Sequence, residues 1–529
     1  MYSSVCTGAL KGLYAYLVHA EVDAASGLPG LEMVGYLAGE VKEARERVRV
    51  ALKNADITLP PMKITVNLSP GDVRKDGSGF DLPIAVGIAA ALEKIPGQAL
   101  EDTLFLGELG LDGTVRRVKG VLPIVQEAAR QGIKRCILPA ENAMEGAVVR
   151  GIQVIGVESL GQLISGLRSC VRGWDNISDM AEGLLAPVQA TPEQLLALSD
   201  RQPDLDFGDI VGQEMLKRSA AVAAAGFHNM LIIGPPGTGK TMVGKRIPGI
   251  LPPMTLEESL EVSNIYSVQG LLDASKVLIT SRPFMQPHHT ISAQALSGGG
   301  RIPKPGVISL AHKGVLFLDE LPEFPRPILD MLRQPLEEKR VVVARAYGSY
   351  QYPADFMLVA AMNPCPCGYY PDPNKCSCTE ADVRRYLGHV SGPVLDRIDI
   401  CVEAPAINVK KLRGMGKGLA SGLTSRDMAQ LVGVARTMQE RRFAETGYRF
   451  NSEIRSGDIR KFCQLGISEE RMLEQALEKQ GASARAYHRT LRTARTVADL
   501  AGCKKIGRAH LAEALCYRMA DEKYWKGKS

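Results

Sequence analysis

The chain has 529 residues, of which 45% are hydrophobic, 23% are charged and 5% are aromatic, and its formal net charge at pH 7 is +6. This composition excludes wholesale disorder, and no apolar run approaches the ~18–20 residues of a membrane span. The weak basic excess permits contact with nucleic acid without requiring it, and the few aromatic side chains argue against a surface built on many base-stacking rings.

Residues 1–168 are predicted to form a mixed α/β domain, because short β-rich runs alternate there with helical patterns. The β-rich runs lie at 17–22, 63–68 and 103–109, and the helical patterns at 41–53, 82–92 and 122–131. Between 169 and 205 the pattern loosens. The polar, helix-breaking Arg201-Gln202-Pro203-Asp204 marks this stretch as a linker.

Two stretches of the first domain resemble Lon-type proteases. Residues 71–81 resemble the stretch around the protease nucleophile, and residues 107–134 resemble the later stretch that holds the catalytic lysine. When the stretches are aligned, the nucleophile position falls on Gly79 and the lysine position falls on Leu122. The resemblance therefore implies a Lon-protease-like fold without peptidase activity.

An active Ser/Lys dyad is the alternative interpretation of the same stretches. Ser78 lies one position from the expected nucleophile, and Lys75 or Lys119 would be its partner. Such a dyad works only if the amine lies within hydrogen-bond reach of the hydroxyl. Because the dyad positions are displaced, we predict the inactive form.

The strongest motif in the chain is a phosphate-binding loop that follows the apolar run 230–233 and opens a predicted helix. Its glycines let backbone N–H groups face phosphate oxygens, and the helix N-terminus adds partial positive charge. We expect Lys240 to reach the β- and γ-phosphates of ATP and the Thr241 hydroxyl to ligate Mg²⁺. The loop consists of Gly234, Pro235, Pro236, Gly237, Thr238, Gly239, Lys240 and Thr241.

The second half of such a site is an apolar strand that ends in acidic side chains. Residues 315–318 form such a run, and Asp319 and Glu320 follow it directly. We expect Asp319 to hold Mg²⁺ through water and Glu320 to orient or deprotonate the attacking water. The alternation of apolar strands and helices over residues 206–410 predicts a parallel sheet around this site.

Two further segments of this region resemble AAA+ ATPases. Asn363, which ends another apolar strand, resembles the sensor-1 residue that contacts the attacking water and the γ-phosphate. Residues 395–399 resemble the segment that presents an arginine finger, here Arg397, to the neighbouring subunit. The alternative for Arg397 is a surface salt bridge with Asp396 or Asp399.

The resemblance to AAA+ ATPases extends to both ends of the module. The segment around Val211 resembles the AAA+ segment that packs on the adenine ring of the bound nucleotide. Residues 425–526 are predicted to form a helical lid, in which Arg485 resembles the sensor-2 arginine. Arg489 and Arg492 lie nearby, so the register of this last assignment stays open.

The stretch between the phosphate loop and the acidic strand resembles the magnesium-chelatase branch of AAA+ proteins. The motifs that carry this resemblance lie at 287–290, 298–300 and 305–312. The branch carries an insertion hairpin whose loops face the central pore of a hexamer. We therefore expect Arg301 and Lys304 to contact a DNA phosphate backbone, the alternative being a structural loop with two solvated cations.

Four cysteines follow Asn363 in the pattern C-x-C-x8-C-x-C: Cys365, Cys367, Cys376 and Cys378. Four thiolates at this spacing are able to surround a tetrahedral Zn²⁺, and free reduced thiols or a redox switch are the alternatives. The eleven cysteines of the chain are an odd number, which does not suit a disulfide scaffold, and the N-terminus shows no export-signal pattern. Both observations favour a reducing cytoplasm.

Taken along its whole length, the chain resembles the ComM/YifB family, in which a Lon-like domain precedes a chelatase-type AAA+ core and a helical lid. The resemblance implies a bacterial hexameric DNA helicase that uses ATP and Mg²⁺ to promote branch migration of recombination intermediates in natural transformation. One alternative is a chelatase-like ATPase that remodels a protein partner for metal insertion. Another is an ATP-dependent protease, which the displaced dyad disfavours.

Overall fold

The computed structural model describes residues 1–170, 174, 185–191, 205–272, 276–300, 303–345, 348–406, 423–479 and 483–526. The chain divides into two compact units. The first contains residues 1–198 together with 256–279, and the second contains residues 199–255 together with 280–529. None of the described helices is both long enough and apolar enough to cross a membrane. Much of the predicted linker 169–205 lies outside the described residues.

The strands are, in chain order, β1 (Tyr2–Lys11), β2 (Tyr14–Ala25), β3 (Gly30–Val34), β4 (Lys63–Ser69), β5 (Thr103–Phe105), β6 (Glu108–Leu109), β7 (Val115–Arg116), β8 (Arg135–Pro139), β9 (Gln153–Val157), β10 (Pro187–Val188), β11 (Met230–Ile233), β12 (Phe284–Met285), β13 (Gly298–Gly299), β14 (Lys304–Pro305), β15 (Val315–Leu318), β16 (Arg340–Arg345), β17 (Gly348–Pro353), β18 (Met357–Met362) and β19 (Ile400–Glu403).

The helices are, in chain order, α1 (Gly39–Asn54), α2 (Asp81–Ala91), α3 (Val121–Arg130), α4 (Ala140–Ala147), α5 (Leu160–Arg168), α6 (Glu214–Gly226), α7 (Lys240–Ile250), α8 (Leu256–Gln269), α9 (Ala293–Ser297), α10 (Val307–Leu310), α11 (Arg326–Met331), α12 (Arg333–Glu338), α13 (Glu380–Leu387), α14 (Gly392–Leu395), α15 (Ser425–Phe443), α16 (Ile459–Phe462), α17 (Ile467–Lys479), α18 (Ala484–Leu500) and α19 (Arg508–Asp521).

The first unit is built on a mixed eight-stranded sheet with the strand order β10-β9-β8-β5-β1-β2-β4-β3. Strand β2 shows why one face of this sheet is the core face: Val18, Ala20 and Val22 are buried, whereas the alternate His19 and Asp23 are exposed. Helix α2 packs on that face against β1 and β2 and also against α1. Because it is covered on all sides, nearly every residue of α2 is buried and apolar.

Helix α8 belongs to the first unit, although its sequence lies between two parts of the second. It packs against α3, where the side-chain amide of Asn264 donates to Gln126 Oε1 at 2.9 Å. The Gly120 N–H donates to the Ser267 carbonyl at 3.0 Å, and the Ser267 hydroxyl donates to the buried Glu145 carboxylate. The predicted boundaries 1–168, 206–410 and 425–526 stay predictions. No local sequence pattern within 206–410 indicates that residues 256–279 belong to the first unit.

The second unit is built on a five-stranded parallel sheet with the strand order β12-β15-β18-β11-β19. Every residue of β11, β15 and β18 is buried, as expected for a parallel sheet with helices on both faces. Helix α7 approaches this sheet closely at Gly244, where an added Cβ would lie 2.3 Å from Cε2 of Phe317. The predicted AAA+ α/β fold class, with its parallel sheet, is confirmed.

The C-terminal part of the second unit is helical from α15 to α19, which confirms the predicted helical region after the core. Helix α18 is strongly amphipathic, and its buried side packs against α6, α15 and α19. The ring of Phe450 stacks on that of Phe227 with centroids 4.9 Å apart, so the helical region and the α6–β11 connection share one hydrophobic core.

Candidate nucleotide-binding site

The predicted phosphate loop joins the carboxyl end of β11 to the first turn of α7. Gly237 and Gly239 have φ of +74° and +86°, in a region that favours glycine, and their backbone turns bring the loop to the helix N-terminus. Strand β11 lies between β18 and β19, so the loop follows an interior strand of the parallel sheet. Ligands of such sheets bind beyond the carboxyl ends of the strands.

Lys240 is buried inside the loop and is held by three oxygen atoms. Its Nζ donates to the carbonyls of Gly234 and Pro235 at 2.7 and 2.8 Å and to Oδ1 of Asn363 at 3.1 Å. Burial lowers the pKa of the Lys240 ammonium, and the carboxylates of Asp319 and Glu320 oppose that shift. The structure therefore brings the predicted lysine and the predicted sensor-1 amide into direct contact.

The predicted Mg²⁺ residues also meet, although 78 positions separate them. The Thr241 hydroxyl donates to Oδ2 of Asp319 at 2.7 Å at the end of β15. A hydroxyl beside a carboxylate is the hard oxygen donor set that suits Mg²⁺. Glu320 follows with φ of +52° and an exposed side chain, where water can reach it.

His289 lies beside this acidic end, with its Nδ1 3.9 Å from Oε2 of Glu320. The sequence motif at 287–290 indicated a family resemblance but assigned no role to this imidazole. Its ring also contacts that of His288 at an angle of 34°, with centroids 4.1 Å apart. His289 is thus a contact of Glu320 that sequence reasoning missed.

The segment around Val211 is tethered to the phosphate loop by its neighbour Gln213. The Gln213 amide donates to the Thr238 carbonyl at 3.3 Å and to the Pro405 carbonyl at 2.8 Å. Val211 itself is half-buried. Its segment is therefore held next to the loop, and the contact with adenine stays a prediction.

The three arginines of helix α18 are engaged differently. Arg489 is 4% exposed, and its Nη1 donates to the carbonyls of Leu395 and Ile398, each at 3.0 Å. Arg492 lies 3.9 Å from the buried Asp399. Arg485 is 66% exposed, with its Nη1 3.9 Å from Asp396. Of the three, Arg485 has the side chain most available to a ligand.

Arg397 projects from the turn that Arg489 holds. Its guanidinium is 15% exposed and is paired with Glu337. Arg397 and the three arginines of α18 line one cleft of about 1020 Å³, and none of the phosphate-loop residues 234–241 lines that cleft. The structure therefore gathers Lys240, Thr241, Asp319 and Asn363 at one place and the four arginines at another.

A buried hydrogen-bond network fixes the segment that carries Arg397. His228 is fully buried between Asp399, 3.3 Å from Nδ1, and Thr496, 2.8 Å from Nε2. Burial opposes ionisation of Asp399, but the hydrogen bond and charge of His228, with Arg492 and Arg489, lower its pKa to about 2. No sequence motif marks this network.

The four cysteines predicted as a zinc site converge in a segment that we call the cysteine loop, residues 365–378. Their Sγ atoms all lie within 4.8 Å of one another. The Cys365–Cys367, Cys367–Cys376 and Cys365–Cys376 sulfur distances are 3.3, 3.6 and 3.8 Å. The donor set is therefore assembled for one metal ion.

The residues predicted to contact DNA lie on a short hairpin, β13–β14. Lys304 is exposed on β14 and is paired in the ladder with Gly299, whereas Arg301 lies outside the described residues. An added Cβ on Gly299 would lie 3.2 Å from Nη2 of Arg345, which belongs to the neighbouring hairpin β16–β17. Lys304 and Arg345 therefore lie on two neighbouring hairpins, and the sequence did not indicate Arg345.

In the first unit, the alternative protease dyad is not assembled. The Ser78 hydroxyl donates to the Glu108 carboxylate, and the buried Lys75 ammonium donates to the Pro70 carbonyl. The stem of Lys119 packs over Gly270. Among the described residues, no hydrogen bond joins Ser78 to either lysine.

Family models account for most of the chain. The model described as magnesium chelatase, subunit ChlI, matches residues 206–412, and the one described as its C-terminal part matches residues 422–518. A further model, described as subunit ChlI of Mg-chelatase, matches residues 20–142. With the parallel sheet, the phosphate loop and the helical region, these matches define a magnesium-chelatase-type AAA+ protein.

Similarity to individual proteins narrows this class. The chain is 42% identical to competence protein ComM of Haemophilus influenzae over 515 residues, which cover 97% of both chains. It is 40% identical to the uncharacterized protein YifB of Escherichia coli over 519 residues, covering 98% of this chain and 97% of YifB. The chain belongs to the ComM/YifB family, as predicted. A shorter match, 34% identical over 119 residues and 22% of this chain, joins it to DNA repair protein RadA of Listeria monocytogenes.

Proposed function

We propose that this protein is an ATP- and Mg²⁺-dependent motor that acts on DNA as a homo-hexamer. The observation that carries the ATPase part is the convergence of Lys240, Thr241, Asp319 and Asn363 at the carboxyl ends of parallel strands. Lys240 and the loop amides would bind the phosphates of ATP, and Thr241 with Asp319 would hold Mg²⁺, which neutralises phosphate charge. Glu320 would orient or deprotonate the attacking water.

The cleft that holds the arginines supports the oligomeric part of the proposal. Arg397 and Arg485 line it without any phosphate-loop residue of the same chain. We therefore assign both side chains to the nucleotide of a neighbouring subunit, where they stabilise charge that develops on the transferred phosphoryl group. Arg489 is a positioning residue for Arg397, because it binds the carbonyls of Leu395 and Ile398 on either side of it.

The paired hairpins support DNA as the substrate of the motor. Lys304 and Arg345 present two positive charges beside one another, and such charges bind phosphates in a salt-dependent way. The relatives' names, a competence protein and a DNA repair protein, point to the same substrate class. We propose branch migration of recombination intermediates during natural transformation as the role.

Three further features belong to this proposal. The four thiols of the cysteine loop would hold a structural Zn²⁺. All eleven cysteines are free, which supports a reducing cytoplasm. The first unit would act without peptidase activity, a view supported by the separate hydrogen bonds of Ser78 and Lys75.

The experiment that tests this function measures ATPase rates with no DNA, with single strands and with branched DNA. We expect stimulation by DNA, with branched DNA as the strongest stimulator. The double variant Lys304→Glu, Arg345→Glu should abolish the stimulation. The slope of the logarithm of its DNA-binding constant against the logarithm of salt concentration should fall by ~2. Arg426→Glu, a charge reversal at an exposed position on α15, is the control. A rate indifferent to every DNA would favour the alternative, an ATPase that remodels a protein partner for metal insertion.

A further inference from the structure

We propose that the cysteine loop is a zinc clip that braces the catalytic side of the nucleotide site, so that zinc controls hydrolysis more than nucleotide binding. This inference rests on the proposed ATPase function. It starts from the sulfur geometry, because a tetrahedral site with Zn–S bonds of about 2.3 Å has S···S edges of about 3.8 Å. The three observed sulfur distances among Cys365, Cys367 and Cys376 are 3.3, 3.6 and 3.8 Å, close to such edges, and Sγ of Cys378 lies within 4.8 Å of the other three.

Backbone amides around the sulfurs provide a second observation for a metal. The Tyr370 N–H donates to Sγ of Cys365 at 3.4 Å, and the amides of Tyr369 and Ser377 are directed at Sγ of Cys367. Hydrogen bonds of this kind support metal-bound thiolates from outside the first ligand sphere. Each thiol that binds the ion as a thiolate releases its proton to water. Among the described residues, this is the one convergent group of three or more His, Cys, Asp or Glu ligand atoms.

The loop begins and ends beside the sensor-1 residue. Cys365 is fully buried and lies two positions after Asn363, whose side chain accepts from Lys240. At the other end, Cys378 is followed by Thr379, which caps helix α13 with a reciprocal hydrogen bond to Asp382. Tyr386 on that helix places its phenol beside the backbone of Asn363. A metal that closes the loop therefore holds both the chain that directly follows Asn363 and the helix whose Tyr386 lies beside the Asn363 backbone.

The loop also contacts the phosphate loop directly. Gly368 has φ of +88°, and an added Cβ would lie 2.6 Å from Cδ of Pro236. The backbone of the cysteine loop thus rests against the proline ring of the phosphate loop. Only glycine permits this approach, because both the φ value and the space exclude a side chain.

Loss of the ion would release both contacts at once. A 14-residue segment without its clip gains conformational entropy, so Asn363 and Pro236 lose the support that fixes them. Nucleotide binding depends mainly on the loop amides and Lys240, which β11 and α7 position from the two ends of the phosphate loop, so loss of the Gly368 contact alone should weaken it little. Hydrolysis depends in addition on the placement of Asn363, and a misplacement of ~1 Å costs ~100-fold in rate. Zinc loss should therefore lower kcat more than nucleotide affinity.

The test combines metal analysis with two kinetic readouts, all without DNA. Wild type and the control Cys516→Ser, whose exposed thiol lies outside the loop, should each carry about one zinc per chain, and Cys378→Ser less than ~0.2. Cys378→Ser should lower kcat by at least ~10-fold while the Kd of a fluorescent ATP analogue changes by less than ~3-fold. Cys376→His keeps four zinc-binding groups and should keep both zinc and kcat.

A double-mutant cycle tests the link to Asn363. Asn363→Ala should give the same kinetic pattern, and adding Cys378→Ser to it should cause little further loss, because both changes remove one effect. If Cys378→Ser fails to fold, zinc is stripped from the wild type with a chelator, Mg²⁺ is restored, and the same two readouts are taken before and after zinc is returned.

Each outcome decides one part of the proposal. Less than ~0.2 zinc per chain in the wild type would overturn the clip. A zinc-free protein with full kcat, or with kcat and nucleotide affinity lowered together, would overturn the proposal that zinc controls hydrolysis more than nucleotide binding. A wild type that carries zinc but hydrolyses no ATP would refute the proposed function and leave the metal site standing.

Discussion

The buried carboxylate of Asp399 offers a quantitative test of how the arginine-bearing turn is held. It lies against His228, Arg492 and Arg489, and its pKa is lowered from 3.8 to about 2. That difference corresponds to about 2–3 kcal/mol of stabilisation at neutral pH, and removal of one member of a buried charge network costs about 3–5 kcal/mol. We expect Asp399→Asn to lower the free energy of unfolding of the second unit by about 2–4 kcal/mol.

The assay uses the two tryptophans of the chain, Trp174 and Trp525. In a Trp174→Phe background, Trp525 fluorescence in urea reports the second unit alone, which matters because two compact units need not unfold together. The control is Asp396→Asn on the same turn, since Asp396 is 44% exposed and its ion pairs with Arg485 and Arg489 should contribute less than ~1 kcal/mol.

The pH dependence of the Asp399→Asn effect follows from the direction of the pKa shift. A carboxyl with a lowered pKa in the folded state stabilises the protein above its unfolded pKa, and this contribution is lost as the pH falls through the folded pKa. Both values lie below pH 4, so Asp399 itself stays ionised from pH 7 to pH 5 and the effect should not shrink over this range. An effect below ~0.5 kcal/mol at pH 7, or one that shrinks by pH 5, would refute the reasoning.

Two predictions concern the chemistry of the site. Lys240→Ala should weaken ATP binding by ~10–100-fold in a direct binding assay, whereas Glu320→Gln should bind ATP with normal affinity and lower kcat by ~100–10,000-fold; a Glu320→Gln protein with normal turnover would exclude this carboxylate as the base. Arg397→Ala should assemble but hydrolyse ~1,000-fold more slowly, and its mixtures with wild type should show rates that depend on the neighbouring subunit. Rates proportional to the wild-type fraction alone would show that Arg397 acts within its own chain.

The parts of the site that local chemistry defines could be predicted from the sequence. The glycine spacing of the phosphate loop and the apolar strand before it require no tertiary information. The meeting of Thr241 with Asp319 could also be anticipated, because the carboxyl ends of parallel strands lie along one edge of a sheet.

Side-chain environments that depend on packing could not be predicted in the same way. Arg485 and Arg489 are four residues apart on one helical face, yet only Arg489 is buried, because Arg485 lies in the first turn of α18. The side chains of His228 and Asn229 hold Asp399 and the Arg397 carbonyl from the start of β11. Their partners lie about 170 positions away, and no periodic pattern reports such pairs.

The excursion of residues 256–279 into the first unit has a practical consequence for dissecting the protein. The chain passes between the two units three times, so cleavage in the linker before residue 205 would break the covalent link to residues 1–198 but leave residues 256–279, which belong to the first unit, covalently attached to the second. A truncated variant that begins after the linker would keep α8 but lose helix α3, against which it packs, so the buried Val262 and Ile265 would lose the cover of the first unit. An isolated ATPase unit therefore requires removal of 256–279 and a short splice from Thr255 to Thr280, in addition to removal of the N-terminal residues.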